Sequence, residues 1–273
     1  MESGVLDHPA PSLFGLLVGF LVGLTGVGGG SLMTPFLISV MGVPAPTAVG
    51  TDLVQATLTK LTGSVQHYWQ RSVNMEVAVF MWFGSIPASL LGVETLEWIK
   101  ASFDAAAVQS IMKEIIAVTL VITGISLIGR IFLPSRWIRS RQEKETWNGE
   151  TSMSRKRRLG TILLGATGGY LVGLTSIGSG SVMAVLLLLF YPLPPAVIVG
   201  TDIVHAMVLS FVTGFAHILA GNVDFALAGT LLLGTIPGVL VGSRLSTWVP
   251  SRPLRVVLAG MITFVGANLL GLI

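Results

Sequence analysis

The eleven-residue segment LVGLTGVGGGS at residues 21–31 recurs almost unchanged as LVGLTSIGSGS at residues 171–181. A second block follows at the same offset of 150 residues, since GTDLVQA at 50–56 matches GTDIVHA at 200–206. Glycine-rich runs of this kind break helices. Their repetition at one offset indicates that the chain contains an internal duplication.

A third block extends the duplication through most of the sequence. IPASLLG at 86–92 matches IPGVLVG at 236–242, again 150 residues apart. We therefore predict two homologous membrane repeats, residues 1–133 and 159–273, joined by a linker at 134–158. Duplicated halves are a common architecture of secondary transporters, in which the substrate binds between the repeats.

The composition places the chain in a membrane. Hydrophobic residues make up 52% of the 273 residues and charged residues only 11%, whereas soluble domains carry about 25% charged residues. Between Leu159 and Gly242 the only formal charges are those of Asp202 and Asp224. Long continuous apolar runs of this kind predict an all-α polytopic membrane protein, and they lack the short alternating strands of a β-barrel.

The basic residues are concentrated in the linker. Of the 16 lysines and arginines, 8 lie between Arg136 and Arg158. Such a loop is typical of a cytoplasmic segment that sets the orientation of the protein, and it can contact anionic lipid. We therefore expect membrane lipid, and no nucleic acid, as the partner of this charge; a homo-oligomer is left open.

Each half carries four predicted membrane segments. They are 12–41, 45–67, 75–98 and 105–133 in the first half, and 159–191, 194–218, 224–246 and 253–273 in the second. A first segment of about 30 residues would reach about 45 Å as one helix, against a hydrocarbon core of about 30 Å. We therefore predict two half-helices around each glycine loop, either re-entering the membrane or crossing it as a broken helix.

The placement of lysine and arginine favours inverted repeats with re-entrant first segments. If all eight segments cross, the halves are parallel, and Lys100, Arg244, Arg252 and Arg255 lie outside, against the positive-inside rule. If the first segment of each half re-enters, only Lys100 of this set lies outside. The second arrangement is the prediction.

The two glycine loops are the first candidate site. A loop that feeds a half-helix directs backbone N–H groups and the positive end of the helix dipole towards a bound anion. Duplication of the loop favours this role over simple close packing of small residues. The predicted substrate-binding residues are Thr25, Gly26, Gly28, Gly29, Gly30 and Ser31 in the first half, Thr175, Ser176, Gly178, Ser179, Gly180 and Ser181 in the second, and Thr51 and Thr201.

The second candidate site is a duplicated polar stripe on the second segment of each half. Asp52 and Asp202 lie six and seven residues after a proline, which places a carboxylate below the membrane interface, where it is usually functional. Gln55 and Lys60 share the helical face of Asp52, and His205 shares that of Asp202. We predict that these five residues line the pathway or couple transport to protons, although each aspartate could instead cap a glycine loop.

No enzymatic site is expected. The sequence has no cysteine, no H-E-x-x-H or Walker motif and no Ser–His–Asp order. We therefore predict no catalytic residues, no metal and no cofactor.

On the paired LVGLTGVGGGS and GTD blocks, the sequence resembles the sulfite exporter TauE/SafE family of small bacterial permeases. The resemblance covers essentially the whole chain, including the proline of each third segment. It implies a multi-pass secondary transporter of the bacterial cytoplasmic membrane for a small sulfur-containing anion, sulfite or an organosulfonate such as sulfoacetate. Many members carry serine after G-T, where this chain has Asp52 and Asp202.

The extra carboxylates would repel an anion unless they are protonated, so this departure from the family pattern indicates either proton coupling or a different substrate. Three alternatives stay open at this point. They are a proton- or cation-coupled transporter of another small solute, an anion channel, and a membrane-embedded enzyme or scaffold.

Overall fold

The computed structural model describes residues 10–25, 29–132, 153–178, 193–245 and 251–272, together with residues 183, 187, 190 and 191. The helices within these ranges are α1 (Ala10–Thr25), α2 (Gly30–Ser39), α3 (Ala45–Trp69), α4 (Met75–Ser102), α5 (Ala105–Phe132), α6 (Arg155–Thr175), α7 (Pro195–Leu219), α8 (Phe225–Leu245) and α9 (Ser251–Leu269).

Length and hydropathy confirm the predicted all-α polytopic class. Within the described residues, the spans that are long and apolar enough to cross a membrane are Met75–Ser102, Ala105–Gly129, Ala196–Leu219 and Phe225–Leu245. Shorter apolar helices at Ala10–Leu24, Gly30–Ser39 and Val256–Leu269 accompany them. Pro87 and Pro237 lie inside α4 and α8, which continue through both prolines.

The first membrane segment is broken at its glycine loop. Helix α1 ends at Thr25 and α2 begins at Gly30. The rings of Phe14 in α1 and Phe36 in α2 stack on each other, so α2 folds back along α1. The chain therefore turns back on itself at the loop instead of continuing in the direction of α1.

In the second half, α6 ends at Thr175 and is followed by backbone with positive φ, 60° at Ser176 and 121° at Gly178. Residues 183, 187 and 190 are helical again. At its other end α6 begins at Arg155, so residues 155–158, which the sequence assigned to the linker, belong to the helix instead. Ser154 caps this helix by accepting a hydrogen bond from the backbone N–H of Arg157.

Two stripes of small residues interlock the halves. Gly15, Gly19 and Gly23 of α1 lie against the backbone of α8 at Leu231, Thr235 and Val239. The equivalent glycines of α6, Gly165, Gly169 and Gly173, lie against Met81, Ser85 and Ser89 of α4. Small residues at every fourth position let helix backbones approach closely. The first helix of each half therefore packs on the third helix of the other half.

Helices α3 and α7 cross the centre of the protein in opposite directions. Gly214 lies against Leu53, and Gly63 lies against Ile203. Helices α5 and α9 are also antiparallel, because Gly124 contacts Thr263 while Gly266 contacts Leu120. The largest buried side chains between these helices include Met33, Leu53, Met112, Ile116 and Leu209.

The members of these two pairs, α3 with α7 and α5 with α9, are sequence equivalents in the repeat. Equivalent helices that pack side by side and antiparallel are related by an axis that runs across them rather than along them. These contacts support the inverted arrangement of the two halves, which stays a prediction.

The close approach of α1 to α8 predicts the effect of a single methyl group. In Gly19→Ala the new Cβ would overlap the backbone of Thr235. Overpacking of this kind costs about 1–3 kcal/mol, and the thermal unfolding temperature in detergent should fall by several degrees. Gly229→Ala in α8 is the control, because a methyl group at Gly229 would have no atom within 4 Å. Equal unfolding temperatures for both variants would contradict the interlocked packing.

Candidate functional site

The antiparallel pair α3 and α7 carries a column of polar side chains through the middle of the protein. Asp52 and Asp202 lie near opposite ends of the shared stretch, since Leu53 is level with Gly214 and Ile203 with Gly63. At 1.5 Å per residue the two aspartates are separated by about 20 Å along the helices. The column therefore extends over most of a hydrocarbon core, with a carboxyl group towards each end.

The middle of the column is a contact between two equivalent residues. The Lys60 ammonium donates a hydrogen bond to the Ser210 hydroxyl, with 3.1 Å between Nζ and Oγ. Lys60 and Ser210 are 150 residues apart, so each occupies the other's position in the repeat. In the predicted inverted arrangement, their contact would lie on the pseudo-two-fold axis that relates the two halves.

One hydrogen bond lies on each side of this centre, and the two bonds are equivalent in the repeat. Gln55 Nε2 donates to Thr235 Oγ1 at 2.9 Å, and His205 Nε2 lies 2.9 Å from Ser85 Oγ. Gln55 and His205 are equivalent in the repeat, as are Thr235 and Ser85. The architecture is thus the same on both sides, whereas at this position only the second half supplies a titratable side chain, His205.

Asp52 lies where the two glycine-rich loops meet. Its Oδ2 accepts hydrogen bonds from the hydroxyls of Thr34, at 2.9 Å, and Ser176, at 2.6 Å. Gly30, the first residue of α2, packs against the Ser176 carbonyl and the Asp52 carboxylate. The side chain is completely buried, and its Oδ1 has no hydrogen-bond partner among the described residues.

The carboxylate of Asp52 therefore occupies a place that suits an anion. The amino-terminal end of α2 and two hydroxyl donors converge on it, and all of these stabilise negative charge. The sequence offered two roles for Asp52, a pathway group and a cap of the glycine loop. The contacts place the carboxyl group at the glycine loop and the start of α2, and a pathway role of Asp52 stays a prediction.

The sequence of the repeat differs at the two positions whose equivalents bind Asp52. The repeat positions equivalent to Thr34 and Ser176 are Ala184 and Gly26, which carry no hydroxyl group. Asp202 is buried, with 2% of its surface exposed. Lys60 lies close enough to both Asp202 and Asp52 for their charges to act on it.

The two threonines of the G-T-D blocks hold the repeats together. The Thr51 hydroxyl accepts a hydrogen bond from the backbone N–H of Asp224 at 3.0 Å, and the Thr201 hydroxyl accepts one from the backbone N–H of Asn74 at 2.8 Å. Asp224 and Asn74 are equivalent residues that precede α8 and α4. Each threonine thus anchors the third helix of the other half.

The preceding glycines allow the same approach. A side chain at Gly50 would overlap the Asn222 carbonyl, and one at Gly200 would overlap the Ser72 carbonyl. The Gly-Thr pair of each block is therefore a joint between the halves. The aspartate that follows each pair is buried and belongs to the polar column. A role of Thr51 and Thr201 in substrate binding stays a prediction.

Some of the other predicted site residues lie within the described ranges and some lie outside them. Ser31 is buried in the first turn of α2, and the Thr175 hydroxyl donates to the Leu171 carbonyl at 2.7 Å. Thr25 ends α1 and Gly29 precedes α2. The predicted residues outside the described ranges are Gly26, Gly28, Ser179, Gly180 and Ser181.

Sequence reasoning missed the polar partners on the neighbouring helices. These are Thr34 on α2, Ser85 on α4 and Thr235 on α8, which bind Asp52, His205 and Gln55 respectively. For two of them the signal was present. Ser85 and Thr235 directly precede the repeated Ile-Pro pair, so a hydroxyl residue recurs at the same place in each half.

The described side chains do not assemble a metal site. No group of three or more histidine, aspartate or glutamate residues could hold a metal ion in the part of the chain that the structure describes. What the column offers is hydroxyl and amide donors, one ammonium group, one imidazole and two carboxyl groups. Such a set can bind an anion and can move protons.

Comparison with known proteins identifies relatives over nearly the whole length. The model of the family described as Sulfite exporter TauE/SafE matches residues 12–269. The chain is 41% identical over 263 residues to the "Probable membrane transporter protein YjnA" of Bacillus subtilis (strain 168), covering 94% of this chain and 98% of that protein.

More distant relatives have similar names. The "Probable membrane transporter protein YdhB" of the same strain is 26% identical, with 88% of this chain and 90% of that protein covered. The "Probable membrane transporter protein YunE" is 23% identical, with 94% and 95% covered. No solved structure matches the chain.

The joint at Thr51 predicts a loss of stability that is independent of substrate. Thr51→Val keeps the shape of the side chain but removes the acceptor of the Asp224 N–H, and loss of this part-buried hydrogen bond costs about 0.5–1.5 kcal/mol. Thr230→Val is the matched control, since the Thr230 hydroxyl is exposed and bonds only within its own helix, to the Ala226 carbonyl. The measurement is thermal unfolding with and without sulfite. Unchanged stability combined with weaker sulfite binding would instead assign Thr51 to the substrate site.

Proposed function

Because the chain belongs to the sulfite exporter TauE/SafE family and is a multi-pass membrane transporter, we propose that it moves a small sulfur-containing oxyanion by secondary transport. The proposed substrate is sulfite or an organosulfonate such as sulfoacetate, and the proposed location is the bacterial cytoplasmic membrane. Transport is coupled to protons through the polar column, without a cofactor and without a catalytic step.

The observation that carries the proposal is the position of Asp52. Its carboxylate lies at the amino-terminal end of α2 and accepts hydrogen bonds from Thr34 and Ser176. Hydroxyl groups and helix termini are also the donors that bind sulfite and sulfonate oxygens in proteins. Asp52 is therefore a built-in anion that competes with the substrate for the same donors.

This competition gives a route to coupling. While Asp52 is ionised, it keeps the donors and repels a second anion. When Asp52 takes up a proton, its carboxyl oxygen is a weaker acceptor, and Thr34, Ser176 and the end of α2 become available to the incoming oxyanion. Loss of that proton on the other side of the membrane restores the carboxylate and expels the substrate, so one proton accompanies each anion.

The second half supplies the groups for proton release. Asp202 lies near the opposite end of the column, and His205 lies between it and the centre. The titratable side chains of the column include Asp52 and Lys60 on α3 and Asp202 and His205 on α7, and the same two helices carry His67 and His217 near their ends. The groups that α2, α4 and α8 direct towards the column include the hydroxyls of Thr34, Ser85, Ser89 and Thr235, which do not titrate in this range.

The interlocked packing limits which parts can move during alternating access. Rocking of the two sequence halves as separate bodies would separate α1 from α8 and α4 from α6. Those contacts are backbone-to-backbone along three glycines each. We infer that the moving bodies are these mixed pairs, each built from both halves, which turn relative to the central helices α3 and α7.

Replacement of Asp52 by asparagine tests the coupling. Asparagine resembles the protonated carboxyl group, so Asp52→Asn should bind sulfoacetate at all pH values between about 5.5 and 8. In the wild type, uptake of one proton with each anion makes the affinity fall by up to about tenfold per pH unit as the pH rises. Uptake driven by an imposed proton gradient should be lost in the variant, while exchange of sulfoacetate at equal pH should continue.

Asp104→Asn is the control for this measurement. Asp104 is exposed and caps α5 by accepting a hydrogen bond from the backbone N–H of Ala107 at 2.7 Å, a role that asparagine retains. Proton-driven uptake by Asp52→Asn at the wild-type rate would end the coupling mechanism. Flux that does not saturate with sulfoacetate would indicate an anion channel. Uptake of only neutral or cationic solutes would exclude a sulfur-containing oxyanion as the substrate.

A further inference from the structure

We propose that Lys60 and Ser210 form a central anion-binding site on the pseudo-two-fold axis, which takes one oxyanion group midway between the two membrane surfaces. The proposal rests on the transport of an anion proposed above and adds a second, shared site to it. The oxyanion leaves the loop site at Asp52, binds to the Lys60 ammonium, and continues towards the half that carries Asp202.

The first observation is that Lys60 contacts its own repeat equivalent. The Nζ of Lys60 lies 3.1 Å from Ser210 Oγ, and the two residues are 150 positions apart. A side-chain pair of this kind can form only at the axis that relates the repeats. A ligand bound there has equivalent helices on both sides. The site can therefore exchange its ligand with either half through equivalent contacts.

The second observation is the difference in exposure along the column. Asp52, Asp202 and His205 are buried, with at most 2% of their surface exposed, and Ser210 is completely buried. Lys60 is only partly buried. The cation of the column is therefore packed less tightly than the carboxyl and imidazole groups on either side of it.

The third observation is the balance of charge. Lys60 lies within electrostatic range of both Asp52 and Asp202. Two carboxylates against one ammonium leave an excess negative charge, which opposes entry of an anion. Protonation of one aspartate removes the excess, and Lys60 can then hold an oxyanion while the column as a whole stays close to neutral. The central site therefore accepts its ligand together with the proton that the coupling requires.

An intramembrane lysine of this kind also has a purely structural explanation, since it could only neutralise Asp52 and Asp202. The two explanations predict different anion binding after Lys60 and Ser210 are exchanged with each other. In the double variant K60S/S210K the ammonium returns to the axis from the other helix, with the same serine partner and the same two aspartates. Anion binding at the axis should then recover, because the position of the charge matters and the helix that supplies it does not.

The experiment compares wild type, K60S and K60S/S210K as purified full-length protein. Binding of sulfite and sulfoacetate is measured by calorimetry, and uptake is measured in proteoliposomes. K60S should lose about 10- to 100-fold in affinity, as expected for a charge-assisted hydrogen bond. The double variant should return to within about threefold of wild type. Lys113→Ser in α5 is the matched control and should bind both anions like wild type, since Lys113 lies outside the column.

The thermal unfolding temperature without ligand separates folding from binding. If K60S binds both anions as tightly as wild type, the central site is wrong. If K60S/S210K unfolds at the wild-type temperature but stays as weak as K60S, the site is also wrong, and Lys60 acts only on its own helix. Recovery of stability together with affinity supports the axis position.

Failure of the proposed substrate class gives a different pattern. If wild type binds neither sulfite nor sulfoacetate but binds a carboxylate such as acetate or lactate, and K60S loses that binding, the central site stands and the sulfur specificity falls. If wild type binds only neutral or cationic solutes, the central site and the proposed function are both contradicted.

Discussion

The rest of this structure depends on the cost of ionisable groups inside a membrane. A charged side chain at the centre of a bilayer is expensive, and every buried polar group needs a partner. Helices α3 and α7 carry Asp52, Lys60, Asp202 and His205 through this region. They can do so because neighbouring helices bring hydroxyl groups to them, as Thr34 does for Asp52 and Ser85 for His205. The glycine stripes that let α1 approach α8, and α6 approach α4, hold α8 and α4 in position with their hydroxyl groups.

The repeat makes this arrangement nearly symmetric. The departures from symmetry give the two ends of the column different polar groups. Gln55 and His205 occupy equivalent places, but only His205 can carry a proton. Asp52 accepts hydrogen bonds from the hydroxyls of Thr34 and Ser176 at one end of the column. One end of the column is thus built to hold negative charge, and the other end adds a group that exchanges protons. A proton-coupled carrier needs such a difference between its two ends.

The sequence predicted the features that leave a periodic or repeated trace. The apolar spans, the break of the first segment at its glycine loop and the helical polar stripe through Asp52, Gln55 and Lys60 all follow from spacing along one helix. The joint between Thr51 and Asp224 could not be predicted, since it is a contact between residues 173 positions apart. The same holds for the bond between Ser176 and Asp52, which depends on how the two loops meet in space. Spacing along a helix shows which residues share a face, but it does not show which helix lies opposite.

Disulfide formation tests most directly whether α3 and α7 are antiparallel around one axis, on which both anion sites depend. The chain has no cysteine, so introduced pairs react alone. A Cβ at Gly214 would lie 3.6 Å from the Cβ of Leu53, within the range of a disulfide. L53C/G214C is therefore expected to cross-link in the membrane under mild oxidation, while L53C/I203C, which pairs equivalent positions, stays reduced. Cross-linking of L53C/I203C instead, with L53C/G214C unreactive, would mean that the two helices are parallel and would contradict the inverted arrangement and the sites built on it.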